Sequence, residues 1–86
     1  MTAAERLAYA GYEEILIFEN YSYDDALIGV TEGNRAVYDF DKMVAWLCKK
    51  EGFSKSEAIE WVNYNAVRAA SYAGADAPII MHRLDE

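Results

Sequence analysis

Few side chains in this sequence could carry chemistry, and their spacing limits what that chemistry could be. His82 is the single histidine. A general base needs an orienting partner and a cleft, whereas His82 stands near the end of the sequence on a predicted edge strand, which suits a structural or exposed ring. Cys48 is the single cysteine, so no internal disulfide can form, as suits a reducing compartment. Lys49 and Lys50 beside it could lower its pKa, but its place on the apolar side of a predicted helix suits a small buried hydrophobe. Asp24-Asp25 and Asp39-x-Asp41 could meet at one end of a hairpin and hold a hard cation. They lack the calcium-loop pattern of alternating oxygens with a central Gly and a terminal Glu, and turn and capping roles account for all four. There is no phosphate-binding glycine loop, no zinc-type Cys/His cluster and no nucleophile motif. The expectation is a protein that is not an enzyme, with no cofactor and no metal. A small metal-binding domain or enzyme using the acidic pairs is an alternative.

Recognition chemistry is better represented. Trp61, Tyr64, Asn65, Arg68 and Tyr72 form a stripe at helical spacing, and Trp, Tyr and Arg dominate interface hot spots. The competing reading buries Trp61 and Tyr72 in the core and stacks Arg68 on Tyr64. The formal charge of −7 is unevenly placed. Residues 1–41 hold nine carboxylates against Arg6 and Arg35, whereas residues 42–86 balance six acids with six bases. Direct binding to nucleic-acid phosphates is therefore disfavoured, and a basic protein surface is the favoured partner. Asp24, Asp25, Glu32, Asp39 and Asp41 are the expected acidic contact set, with Trp61, Tyr64 and Arg68 beside them. A structural or self-associating accessory domain, dimerising through exposed aromatics, is the other alternative.

The elements that must position these groups fit one domain spanning residues 1–86. Thr2 and Glu5 form a capping box for a short helix ending near Gly11, with Leu7 facing the core. Ile15-Leu16-Ile17-Phe18 reads as a strand buried on both faces, with a continuation of the first helix as the rival reading. Residues 26–30 and 35–38 read as a hairpin in which Gly33 supplies positive φ, with Gly29 marking a bulge. Asp41 is the expected N-cap of a helix from Lys42 to Glu51 that stops at Gly52. Ser54 and Glu57 cap the next helix, which runs to Tyr72 with Gly74 as its left-handed stop. Its inward stripe is Ala58, Ile59, Val62, Ala66, Ala69 and Ala73. Phe53 staples its start to Ala58. Pro78 to His82 is the last strand, and Arg83 to Glu86 is expected to fray. The fold class is α+β: a small, mostly antiparallel sheet, made of the hairpin plus N- and C-terminal strands, packs against a helical hairpin, with a short N-terminal helix. No apolar run is long enough for a membrane span, and no signal peptide is visible, so a cytoplasmic site is expected.

Four stretches carry a resemblance: residues 24–30, residues 35–43, residues 57–65 from Glu57 through Trp61 to Asn65, and residues 77–81. Together, over residues 21–82, the chain resembles a family of small proteins encoded by bacteriophages and prophages. No catalytic residues come with that resemblance. It implies a bacterial host cell and inhibition of a host nucleic-acid-handling defence protein, in the manner of an anti-CRISPR. The acidic half would then occupy a basic channel meant for nucleic acid.

Overall fold

The computed structural model describes residues 1–19 and 21–84. Its first helix, α1, runs Ala3–Tyr9. Thr2 and Glu5 satisfy each other's backbone amides as the expected capping box, while Ala3 and Leu7 turn inward. Two long-range bonds tie α1 down. The Ala3 amide donates to Asp24 Oδ1 at 2.8 Å, and Arg6 Nη1 donates to the Asp24 carbonyl at 2.8 Å.

Residues 13–19 form no strand, which corrects the reading of Ile15–Phe18 as a fully buried one. Glu14 has a left-handed φ of 60°, which breaks extension at the start of the run. Leu16 is 45% exposed, and of the four only Phe18 is buried. Phe18 enters the core as a side chain: its ring lies 4.9 Å from that of Tyr38, and its amide donates to the Tyr38 hydroxyl.

Strands β1 (Leu27–Val30) and β2 (Ala36–Asp39) make the expected antiparallel hairpin. Leu27 faces Tyr38 and Gly29 faces Val37, so Ile28 is the unopposed residue of a bulge. The turn takes its positive φ from Asn34 (62°) rather than Gly33, a residue type that tolerates the left-handed region. Thr31 closes the turn by accepting from the Asn34 amide through its carbonyl and from the Arg35 amide through its hydroxyl.

Helix α2 spans Phe40–Glu51, with Met43, Val44 and Leu47 buried. Its N-cap is Asp39, not Asp41: Asp39 Oδ1 accepts from the Lys42 amide, and Asp41 lies exposed inside the first turn. Gly52, at φ 73°, ends it as expected. Helix α3 (Lys55–Trp61) opens on the Ser54–Glu57 capping box and packs back on α2, forming the helical hairpin.

The rod then passes through a π-helical turn, Val62–Ala66, before continuing as α4 (Val67–Ala73). That turn changes which residues face inward. A π turn has more residues than 3.6, so the buried line follows a spacing of four: Ala58, Val62, Ala66, with Ala70 half-buried. Ala69 and Ala73 rotate outward and leave the expected stripe. Gly74 takes positive φ (80°) but a ψ of −148°, so it ends the rod outside the left-handed helical region expected of it.

The last strand, β3 (Ile79–Met81), lies beside β2 and runs parallel to it, Tyr38 facing Ile80. The sheet order is β1-β2-β3, a mixed sheet of one antiparallel and one parallel pair. Parallel strands need a long crossover, which the helical hairpin and the rod supply. Two arginines fasten the join: Arg35 Nε donates to the Ala77 carbonyl at 2.8 Å, and Arg83 Nε pairs with Asp39 Oδ2 at 2.7 Å. Arg83 is thus anchored rather than frayed, while residues 85 and 86 of the expected frayed end lie outside the described residues. The core centres on Tyr23, Tyr38, Met43, Leu47 and Val62.

Candidate acidic and aromatic binding surface

The five carboxylates expected to form one contact set are placed at four different spots. Asp39 is 3% exposed and committed to the fold through Lys42 and Arg83. Burial raises its pKa, but bonds from Arg83 and from the Lys42 and Asp41 amides outweigh that and hold the carboxyl below its ordinary value. Asp24 is half-buried and holds α1 in place. Asp25, next to it, is exposed and shares a shallow polar depression with Glu5, Trp46 and Lys50. Asp41 lies on another face of α2, in a depression with Lys55 and Arg83. Glu32 occupies the hairpin turn, at the opposite end of β1 and β2 from the other four. Four residues of strand place it about 13 Å away. The expected convergence at one end of the hairpin holds for Asp24, Asp25, Asp39 and Asp41 in topology, but α2 separates Asp25 from Asp41.

Charge compensation is sparse. Among the described residues the only ion pair is Asp39–Arg83. The two bases of the first half are spent on carbonyls, Arg6 on Asp24 and Arg35 on Ala77. Glu5, Glu13, Glu14, Glu19, Asp25, Glu32 and Asp41 are all exposed. Their field therefore faces solvent without a cation held against it.

The stripe on the rod divides. Trp61 is half-buried and closes an aromatic array running from Tyr38 through Phe18, Tyr23, Trp46 and Tyr21. Tyr21 packs 5.5 Å from the Trp61 ring, and Phe53 lies 5.6 Å from it and 6.2 Å from Tyr21. Tyr64 and Tyr72 are 65% and 80% exposed. Arg68 is exposed, with its guanidinium 5.6 Å from the centre of the Tyr64 ring. Asn65 Nδ2 donates to the Trp61 carbonyl at 3.2 Å within the π turn, which fixes the two residues to each other. The Trp61 Nε1–H is buried, with no hydrogen-bond acceptor within bonding geometry among the described residues. It approaches the Tyr23 hydroxyl closely enough to oppose the effect of burial there, and burial still pushes the Tyr23 phenol up to about 12.

Beside Trp61 a groove of about 540 Å³ is lined by Phe53, Glu57, Glu60, Trp61, Tyr64 and Asn65. Glu57 and Glu60 are absent from the expected contact set. The signal was present: each stands four residues before an aromatic of the stripe, Trp61 and Tyr64, and so shares its helical face.

The residues with catalytic potential are not brought together. The His82 ring stacks 4.6 Å from Phe40 and has no hydrogen-bond partner among the described residues. Cys48 is half-buried beside Ile59 and Lys55. Among the described residues no group of three or more His, Cys, Asp or Glu is placed to hold a metal ion. None of their helices is long and apolar enough to cross a membrane. No protein-family model, curated protein or solved structure matches the chain.

Proposed function

We propose that this chain is a non-enzymatic, phage-type binding protein that covers a basic surface on a bacterial host protein that handles nucleic acid, and inhibits it. One observation carries the reading. Seven carboxylates of the first half stand exposed and none of them is ion-paired among the described residues, while both arginines of that half are bonded to backbone carbonyls. A basic surface built for phosphates meets the same sign of charge here. The resemblance of residues 21–82 to phage and prophage proteins supports an inhibitor of host defence, working in the host cytoplasm. Exposed Asp25, Glu32 and Asp41 remain in the contact set, whereas Asp39 and Asp24 serve the fold.

The test is capture from bacterial lysate at 50 and 500 mM salt, with heparin as competitor. The expected result is recovery of a nucleic-acid-binding protein at low salt, its loss at high salt, and its displacement by heparin. Recovery of no basic partner at either salt refutes the proposal. A self-associating domain is the second reading, favoured by exposed Tyr64, Val67 and Tyr72 on the rod. Light scattering across a hundredfold concentration range decides it, and a constant monomer mass removes it.

A further inference from the structure

We infer that the groove beside Trp61 is a receptor for an arginine side chain projecting from the partner's basic surface. The inference rests on the proposed binding function and says where one anchor of that contact sits. The groove has an apolar floor and an acidic wall. Phe53 and Trp61 make the floor, crossing at 68°. Glu57 and Glu60 make the wall, and among the described residues no lysine or arginine lines the site.

The two carboxylates are not equivalent. Glu57 Oε1 already accepts from the Ser54 amide, and the bonds to Ser54 hold its pKa below the ordinary value, so it stays ionised. Glu60 makes no hydrogen bond or ion pair among the described residues. A cation entering the groove therefore meets one free carboxylate and the second oxygen of another.

The aromatic groups select the kind of cation. The Trp61 nitrogen is buried, so the part of the half-buried indole that reaches the groove is carbon. Tyr64, on the rim, already attracts the guanidinium of Arg68 on its own helix. A guanidinium is planar and weakly hydrated, so it can stack on an aromatic face while two of its N–H groups bond a carboxylate. A lysine ammonium is more strongly hydrated and cannot do both. Phosphate and carboxylate groups are repelled by the wall. The bond between Asn65 and the Trp61 carbonyl holds the rim in place before anything binds.

The experiment titrates the full chain with capped hexa-arginine, hexa-lysine and hexa-glutamate peptides by calorimetry at 50 mM salt. Hexa-arginine is expected to bind several-fold more tightly than hexa-lysine, and hexa-glutamate not at all. Glu60→Gln and Tyr64→Ala, both exposed changes checked by thermal melts, should each weaken hexa-arginine about five-fold. Asp25→Asn should change it less than two-fold. If both groove variants bind hexa-arginine as the parent does while Asp25→Asn abolishes binding, the groove is overturned and the broader acidic surface stands. If hexa-arginine does not bind at 50 mM salt, the groove is overturned, and the lysate capture decides the broader binding function separately.

Discussion

Asp39 holds three elements at one point, so its replacement tests the architecture directly. It ends β2, caps α2 through Oδ1, and through Oδ2 receives Arg83 from just beyond β3. Losing the cap costs about 1 kcal/mol. The Arg83 pair is charge-assisted, but the arginine side is 37% exposed, so screening limits it to about 1 kcal/mol more. Asp39→Ala should therefore cost about 2 kcal/mol in urea unfolding at pH 7. In a domain of this length that is a fall in Tm of roughly 8–16 °C. Asp39→Asn keeps the cap, since asparagine caps as well as aspartate, and should cost about half as much. Asp41→Ala should cost less than about 0.5 kcal/mol, since its side chain is exposed. The pH dependence follows from the sign. The folded carboxyl lies below its ordinary value of 3.8, so its contribution is complete above that value and is lost as pH falls through the lower folded one. The gap between parent and Asp39→Asn should hold down to about pH 4 and close below it. Equal losses for Asp39→Ala and Asp41→Ala would refute this account of the join.

Tyr23 and Tyr38 have phenols pushed up to about 12 by burial. The stability they contribute is complete below pH 10 and lost as pH rises from 10 through 12, so absorbance at 295 nm should show their ionisation coinciding with unfolding. Tyr38→Phe removes the acceptor of the buried Phe18 amide and should cost about 1–2 kcal/mol in urea unfolding. Met43→Ala empties a fully buried position between sheet and helices, with an expected loss of about 2–5 kcal/mol by the same assay. Ser54→Ala opens the capping box of α3 and should cost about 1 kcal/mol, with Thr2→Ala adding to it independently because the two boxes share no partner.

Local signals were readable where one short motif decides the outcome. Both capping boxes, the hairpin, the bulge near Gly29 and the stop at Gly52 stand where side-chain chemistry puts them. The readings that moved depend on partners distant in sequence. Four apolar residues at Ile15–Phe18 look like a strand, but Glu14 turns left-handed at the start of the run and Phe18 is drawn in against Tyr38, 20 residues on in the chain. Asp39 and Asp41 are both competent caps, and Arg83, 44 residues beyond Asp39, helps select the first. The π turn carries no composition of its own, so the outward rotation of Ala69 and Ala73 was not legible. Of the candidate surface, the contact of Arg68 with Tyr64 was readable from their spacing of four, whereas the division of the stripe into half-buried Trp61 and exposed Tyr64 and Tyr72 was not, and the acidic wall needed Glu57 and Glu60 to be seen as companions of the aromatics.

The parallel pairing of β3 with β2 has a consequence for synthesis. The central strand leaves the ribosome with one flank open, and its second neighbour emerges some forty residues later. Until then Val37 and Tyr38 offer unsatisfied backbone groups to any extended peptide nearby. A chain stalled before β3 would therefore display a sticky half-sheet, and β3 acts as the latch that closes this flank of β2.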